Sequence, residues 1–496
     1  MNCPFFLAAR RVDDMNETLN FAEIQIQQLF GHEAAESEDI NRLREYYFKN
    51  DTYDQVTANL PFRILVGHKG VGKSALFKVA MAEAVEASHL AILIRPDDIV
   101  GIGTDTTDFI KAIRDWKEGL LSIIGEKIFT SFGDDSSALP RTKLIGGQIL
   151  NTIVNYFEEK KGAIAGAKKS ILEHFLSFKK VSIYIDDLDR GWQGRPQDIQ
   201  RISALLNAVR DLAADNPGLY FKISLRSDVY YLVRTSDEST DKIEGSVIWH
   251  SWSNQEIFVL LVKRIRTFFG ESGDERILLT LRQPQLAETL SRVMEEKFSG
   301  EGKWRNAPMY RVLMSLIRKR PRDLVKLLTL AARETRARGG NKISTGDFKL
   351  IFDEYSQGRI QDTVNEFRSE LPDIERLLTN MKPNKKEKNA SEAYLYTTDK
   401  LIIKIRNVIQ GGSFKFANNK PADEKNLAAF LYKINFLVAR KEQEDGSILR
   451  KYFEENRYLS SSFADFGFDW EIHPAYRWAL QPDNISDIFK NLALSD

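Results

Sequence analysis

The stretch that decides the fold reads Phe62-Arg63-Ile64-Leu65-Val66 and continues as Gly67-His68-Lys69-Gly70-Val71-Gly72-Lys73-Ser74-Ala75. Its first part is a short apolar run, which is typical of a buried strand. Its second part matches the pattern G-x-x-x-x-G-K-[ST] at every fixed position. Apolar residues at helical spacing follow, so the order strand, glycine-rich loop, helix predicts a loop that binds phosphate groups.

The residue types in this loop suit a nucleoside triphosphate and its metal ion. Glycines allow backbone conformations in which successive N–H groups point at phosphate oxygens. Lys73 is predicted to neutralise the β- and γ-phosphates, and the Ser74 hydroxyl to contact Mg²⁺. We therefore assign residues 67–75 to nucleotide binding, Lys73 also to catalysis and Ser74 also to the metal.

A second apolar run ends in carboxylates. Val181-Ser182-Ile183-Tyr184-Ile185 leads directly into Asp186-Asp187-Leu188-Asp189-Arg190. Because Mg²⁺ prefers oxygen ligands, Asp186 is predicted to hold the ion, usually through water. Asp187 is predicted to orient or deprotonate the attacking water. The alternative is that Asp187 and Asp189 cap the following turn or pair with Arg190.

Four apolar runs alternate with helical patterns, which implies crossover connections and a parallel sheet. The predicted strands are residues 62–66, 90–94, 181–185 and 219–225. Beyond residue 252 the pattern is helical, with helices expected at 257–269, 285–298, 309–317 and 324–337. Further helices and a turn signal at Asp445-Gly446 then suggest a winged-helix module.

The predicted fold class is therefore α/β: a P-loop NTPase core with a parallel sheet, a helical lid domain and a C-terminal winged-helix-like domain. The predicted boundaries are an N-terminal helical arm at 1–55, the ATPase core at 56–255, the lid at 256–345 and the C-terminal domain at 346–496.

Charge and cysteine content exclude several classes of protein. The chain of 496 residues has 71 Lys and Arg against 70 Asp and Glu, so no overall field draws it to nucleic acid or anionic lipid. Its one cysteine, Cys3, cannot form an internal disulfide, which fits a reducing compartment. No run has the length and apolar character of a membrane span. We expect a cytoplasmic protein without a membrane segment.

Together, the phosphate loop, the Ile-Asp-Asp-Leu-Asp-Arg string at 185–190 and residues 222–226 resemble the KAP-type P-loop NTPases and the related STAND and AAA+ ATPases. The flanking segments resemble a soluble bacterial branch described as DNA-repair or phage-defence ATPases. The resemblance implies that Arg226 is a strand-end sensor and that Arg322 is a second sensor reaching the γ-phosphate from the lid. The alternatives are ion pairs with Asp228 for Arg226 and with Asp323 or a neighbouring acid for Arg322.

The nucleotide and the partners follow from weaker signals. The sequence Asn419-Lys420-Pro421-Ala422-Asp423 has one residue too many for a guanine-reading Asn-Lys-x-Asp element, so ATP is expected rather than GTP. Expected partners are a second copy of the chain, a separate effector protein, or DNA contacted by the C-terminal domain. A basic set for DNA comprises Lys382, Lys385, Lys386, Lys388, Lys400, Lys404, Arg406 and Lys415.

Three functions remain open from the residues. The leading one is an ATPase whose nucleotide cycle moves the lid and C-terminal domains. The second is a scaffold that binds ATP, hydrolyses it negligibly and recruits an effector. The third is a DNA-binding regulator whose affinity ATP adjusts.

Overall fold

The computed structural model describes residues 19–87, 89–105, 108–132, 180–236, 238–271, 274–384, 387, 393–418, 421–444, 448–457, 459 and 467–480. Three lysines of the predicted basic set, Lys385, Lys386 and Lys388, lie outside these ranges, as does the predicted turn at 445–446. No helix within these ranges combines the length and the apolar composition that a membrane crossing requires.

The core is a five-stranded parallel sheet with the strand order β2-β3-β4-β1-β5. Its strands are β1 Phe62–Gly67, β2 Leu90–Ile94, β3 Val181–Ile185, β4 Leu219–Arg226 and β5 Val247–Trp249. The four predicted strands are confirmed, and β5 is an additional edge strand. Strand β4 lies between β1 and β3, and Gly67 is the register partner of Arg226. The ends of β1, β3 and β4 therefore meet at one edge.

The sheet is buried on both faces because alternate residues enter two different cores. On one face Ile64, Ile183 and Ile223 pack with the helices α5 Phe109–Phe132 and α6 Pro196–Asp215. On the other face Leu65 and Tyr184 pack with α3 Asp51–Thr57 and α4 Lys73–Glu86. A parallel sheet covered in this way reads as continuous apolar runs, which is the pattern seen in the sequence.

The remaining elements before residue 255 are short. They are the helices α1 Glu23–Phe30, α2 Ile40–Tyr46 and α7 Ser227–Ser236, and the 3₁₀ turns Ala35–Ser37, Pro96–Ile99 and Glu238–Ser246. We call the described residues 19–55 the arm. Phe21, Leu29 and Phe30 of the arm belong to the same apolar core as the lid helices, so the first part of the arm is packed into the lid. Leu43 and Tyr46, in its second part, pack with α4 and the sheet.

The lid contains more than helices. Its helices are α8 Asn254–Phe268, α9 Glu275–Thr280, α10 Gln283–Leu290, α11 Met309–Leu316 and α12 Pro321–Ala337, with a 3₁₀ turn at Gly302–Trp304. The helix predicted at 285–298 is wrong beyond Leu290, because β6 Lys297–Ser299 pairs with β7 Arg305–Pro308. Phe298 packs against Trp304 across this ribbon, and this pairing outweighs the helical spacing of the local sequence.

The C-terminal part combines helices with an antiparallel sheet. Its elements are α13 Thr345–Phe367, α14 Ile374–Asn380, α15 Thr398–Gln410, α16 Glu424–Lys433 and α17 Arg477–Leu480, the 3₁₀ turn Pro474–Tyr476, and the strands β8 Leu395–Tyr396, β9 Leu437–Glu442, β10 Ile448–Lys451 and β11 Asp469–Ile472. The strand order is β10-β9-β11-β8. A helix pair followed by strands is present, and the winged-helix assignment stays a prediction.

Helix α13 belongs to two cores. Phe348 and Phe352, near its start, pack in the lid core, whereas Val364 and Phe367, near its end, pack in the C-terminal core. We call residues 364–480 the C-terminal unit. The predicted boundary at 345/346 thus falls at the start of a helix that joins this unit to the lid.

The C-terminal sheet contains a buried carboxylate that makes stability depend on pH. Glu471 accepts hydrogen bonds from Arg450, at 2.8 Å, and from Arg477. Although burial opposes it, these guanidinium groups lower the pKa of Glu471 to about 2. Because the folded-state pKa lies below the ordinary 4.5, the stabilisation is complete above that value and is lost as pH falls toward 2.

We therefore expect the urea midpoint to fall between about pH 6 and about pH 3, and Glu471→Gln to be less stable with a flatter pH profile. Tryptophan fluorescence reports the transition, since Trp470 is buried beside this site. An unchanged pH profile in the variant would contradict the assignment.

Candidate functional site

The phosphate loop has the backbone that its glycines predict. Gly70 and Gly72 have φ angles of +84° and +101°, a region that residues with a side chain rarely adopt. Helix α4 begins directly after Gly72. The backbone N–H groups of Lys73, Ser74 and Ala75 have no acceptor in the described part of the chain. An anion is the natural partner for such a set of donors at a helix N-terminus, so the loop fits a phosphate group.

Lys73 lies in the loop with its amine directed at the loop backbone. Its Nζ donates to the carbonyl oxygens of Gly67, at 2.8 Å, and His68, at 3.2 Å. Burial lowers the pKa of Lys73, and the carboxylates of Asp189 and Asp186 oppose this shift. The site thus contains a cation that has no carboxylate partner within ion-pair distance among the described residues.

The two predicted carboxylates follow β3 and have different partners. Asp186 accepts a hydrogen bond from the hydroxyl of Ser224 on the neighbouring strand β4, and another from the backbone N–H of Asp187 at 2.9 Å. Asp187 has a φ of 62° and pairs with Arg190, whose Nη2 lies 2.9 Å from Oδ2. Burial and the nearby Asp189 raise the pKa of Asp187. The alternative contact of Asp187 with Arg190 is therefore present in this conformation, and the role of Asp187 toward water stays a prediction.

Arg226 lies at the end of β4, where its guanidinium is surrounded by hydrogen-bond acceptors. It donates to both carboxylate oxygens of Asp228, at 3.0 and 2.6 Å, and its Nη1 is 3.2 Å from Asp189. Its Nη2 also donates to the backbone oxygen of Glu366 at 3.1 Å. Although burial opposes it, Asp228 raises the pKa of Arg226. The alternative ion pair with Asp228 is thus formed, and the sensor role stays a prediction.

Arg322 lies against the phosphate loop from the lid side. A Cβ atom placed on Gly70 would be 3.0 Å from the Arg322 Cβ, and the Arg322 backbone N–H donates to the Gly70 oxygen at 3.3 Å. Its Nε donates to the carbonyl of Glu33 in the arm at 3.1 Å. The neighbouring Asp323 instead pairs with Arg318 and Arg359. Arg322 therefore joins lid, loop and arm, and its guanidinium makes no ion pair with the acids that the structure describes.

One cavity brings most of the predicted site residues together. Its lining includes these predicted residues: Lys69, Gly70, Gly72, Lys73, Ser74, Ala75, Asp186, Asp187, Arg226 and Arg322. The arm forms a further wall with His32, Glu33, Leu43, Tyr46 and Tyr47. Gly67, His68 and Val71 are not part of the lining; the carbonyls of Gly67 and Val71 accept from Lys73 and from the Trp252 indole.

The side chain of His68 is used in a way that the loop pattern does not indicate. The sequence suggests a role for its backbone alone, but its ring is buried behind the loop. Its Nδ1 is 2.9 Å from Ser227 Oγ and 3.7 Å from Glu366, and its Nε2 contacts Glu454. Although burial opposes it, Glu454 raises the pKa of His68.

Other residues have contacts in the site that the sequence does not indicate. Ser224 positions Asp186, and the period of two along β4 could have indicated that Ser224 and Arg226 share a face. Asp189 contacts Arg226 on strand β4 and not Arg190, its neighbour in the sequence. No local signal marks the arm residues, because they reach the cavity only through tertiary packing on the lid and on α4 of the core.

The described members of the basic set are partly neutralised. Lys404 pairs with Glu387 and Arg406 pairs with Glu424, both at 2.9 Å. A DNA surface at this place stays a prediction.

Comparisons with known proteins give distant likenesses. No family model matches the chain. The putative transposon gamma-delta 80.3 kDa protein of Escherichia coli (strain K12) is 23% identical over 480 residues, which cover 86% of this chain and 64% of that protein. The chain thus spans less than two thirds of that relative.

Among solved structures, the Walker-type ATPase PABY2304 of Pyrococcus abyssi is 13% identical with a TM-score of 0.38, over 82% of this chain and 93% of that one. The ORC2 protein of Aeropyrum pernix is 12% identical with the same TM-score of 0.38, over 86% and 87%. At these values the likenesses say nothing about activity. The sheet order and the loop themselves show an α/β fold of the P-loop NTPase type.

Proposed function

We propose that this chain is a P-loop ATPase that binds MgATP in the cavity between arm, core and lid and hydrolyses it. The observation that carries the proposal is the convergence of donors and carboxylates on one cavity. The free N–H groups at the start of α4 and the Lys73 ammonium suit the phosphates, and Asp186 and Asp187 stand at the adjacent strand end.

The residues divide the chemistry among them. The Ser74 hydroxyl and the Asp186 carboxylate would hold Mg²⁺, which would neutralise phosphate charge when bound. The hydrogen bond from Ser224 fixes the orientation of Asp186. Asp187 orients and deprotonates the attacking water, for which a raised pKa is favourable. This role requires Asp187 to exchange its contact with Arg190 for one with the water.

The arm gives the cavity a place for a nucleotide base. Its apolar residues Leu43, Tyr46 and Tyr47, together with Leu260 and Val325 of the lid, give the cavity a wall that suits a flat base. Since no guanine-reading Asn-Lys-x-Asp element is recognised in the sequence, we assign ATP rather than GTP.

The lid makes the protein a switch as well as an enzyme. Arg322 now donates to the Glu33 carbonyl and lies beside Gly70. A γ-phosphate offers paired acceptors to this guanidinium, and hydrolysis removes them, so the lid position would follow the nucleotide state. A second copy of the chain or an effector protein would bind according to the lid position. A role in DNA repair or anti-phage defence belongs to the proposal through the KAP-like resemblance.

The test is phosphate release from MgATP by the purified protein and by Asp187→Asn. We expect the variant to release phosphate about 100-fold more slowly, because it loses general-base catalysis. Asp215→Asn is the matched control, since Asp215 lies at the end of α6, toward the opposite edge of the sheet. Wild-type release no faster than that of Asp187→Asn would refute the hydrolase assignment; tight ATP binding with negligible release would favour the scaffold.

A further inference from the structure

The phosphate loop is held from behind by carboxylates of the C-terminal unit. Glu366, at the end of α13, is buried, and its Oε1 accepts a hydrogen bond from the backbone N–H of Lys69 at 2.9 Å. Its Oε2 accepts from Nη1 of Arg320 at 2.9 Å, and the same Nη1 donates to the Lys69 carbonyl at 3.3 Å. One loop residue is thus fixed at both its N–H and its carbonyl.

A second carboxylate acts on the adjacent loop residue. Glu454 lies in the segment after β10 and contacts Nε2 of His68. Two hydrogen bonds of 3.1 Å from the amide of Asn435 fix its orientation. The other side of the imidazole faces Glu366 at 3.7 Å. His68 is therefore enclosed between two carboxylates of the C-terminal unit.

The end of α13 also contacts Arg226 at the end of β4 and the ring of His68. The backbone oxygen of Glu366 accepts a hydrogen bond from Arg226 at 3.1 Å, and Phe367 packs edge-on against the His68 ring. Glu366 therefore touches the loop, the strand-end arginine and the lid arginine Arg320. Glu366 and Glu454 themselves are not among the residues that line the cavity.

We propose that Glu366 and Glu454 are positioning residues that hold the phosphate loop in its anion-binding conformation, so that the C-terminal unit controls the nucleotide site. If the C-terminal unit rotates or binds a partner, the two carboxylates move away from Lys69 and His68. The N–H groups of the loop then no longer point together at one anion. The proposal rests on the proposed ATPase function only for its effect on nucleotide affinity; the effect on the loop is independent of any ligand.

The decisive measurement is hydrogen exchange of the peptide that contains residues 67–75, made on the full-length, nucleotide-free protein. Glu366→Gln is expected to speed exchange of the loop amides about tenfold, because a charge-assisted hydrogen bond to a buried group is lost. Glu370→Gln is the matched control: Glu370 is also buried and ion-paired, with Lys433, but does not touch the loop. Equal exchange in Glu366→Gln and wild type would overturn the proposal.

A kinetic readout separates positioning from chemistry. For MgATP we expect KM to rise about tenfold in Glu366→Gln, with kcat within about threefold of wild type, because loop order affects binding first. A fall in kcat at unchanged KM would overturn the positioning role. If the wild type releases no phosphate, the ATPase proposal fails while the exchange result still decides this one.

A second variant covers the case in which Glu366→Gln does not fold. Glu454→Gln leaves the Lys69 contact intact and removes the charge beside His68. Faster exchange of the loop amides than in Glu370→Gln supports the proposal, and unchanged exchange overturns it.

Discussion

Replacing Lys73 with alanine is expected to lower both ATP affinity and phosphate release by at least about 100-fold, a loss of the size seen when one preorganised electrostatic contact to the reacting group is removed. Lys73 is the loop cation that the sequence pattern assigns to the phosphates, and its Nζ lies 2.8 Å from the Gly67 oxygen. Alanine brings no charge against the β- and γ-phosphates. Equilibrium binding of a fluorescent ATP analogue and a phosphate-release assay measure the two effects.

The same substitution should leave the fold intact. Burial lowers the pKa of Lys73, which means that the folded protein disfavours the ammonium at this place. We expect the free energy of unfolding to change by no more than about 1 kcal/mol. Lys117→Ala is the control, because Lys117 pairs with Asp211 on α6, away from the loop. Nucleotide binding by Lys73→Ala equal to that of the control would show that the loop does not bind phosphate.

Asp323→Asn is expected to destabilise the protein by about 3 to 5 kcal/mol, because it leaves buried guanidinium groups without their counterion. Asp323 accepts from Nε and Nη2 of Arg318, at 2.7 and 2.9 Å, and from Arg359 at 2.5 Å. All three side chains are buried. Although burial opposes it, Arg318 and Arg359 lower the pKa of Asp323, so the carboxylate is charged at neutral pH.

A neighbouring pair supplies the control for this prediction. Asp362 also pairs with Arg359, at 2.9 Å, but its side chain is 48% exposed. Asp362→Asn should therefore cost at most about 1 kcal/mol. Urea unfolding followed by tryptophan fluorescence measures both variants. Equal costs for the two would mean that burial of the network contributes little.

The local sequence was sufficient to predict four of the five strands of the parallel sheet, and the phosphate loop. The runs at 62–66, 90–94, 181–185 and 219–225 are mostly apolar, because each strand is covered on both faces. Strand β5 was missed because its three residues are too short a signal. The helix predicted at 285–298 wrongly includes residues 297 and 298, because their pairing with residues 305–308 depends on the folded chain and not on spacing.

The site was predictable only in part, for a related reason. Asp186 and Asp187 follow a strand directly, so sequence placed them at the sheet edge. The partner of Lys69 is Glu366, 297 residues away, and no local pattern links the two. Arg226 and Arg322 were implied by resemblance; the first is ion-paired with Asp228 and the second reaches the loop.

The cavity is lined by segments that lie far apart in the sequence. Arg322 and Glu33, which meet beside the cavity, are separated by 289 residues along the chain. Contacts between such distant segments form after local ones, because closing a long loop costs entropy before the contact repays it. The cavity is therefore among the last features to be completed during folding. We therefore expect a newly made chain to complete this cavity only when arm, core and lid have all assembled.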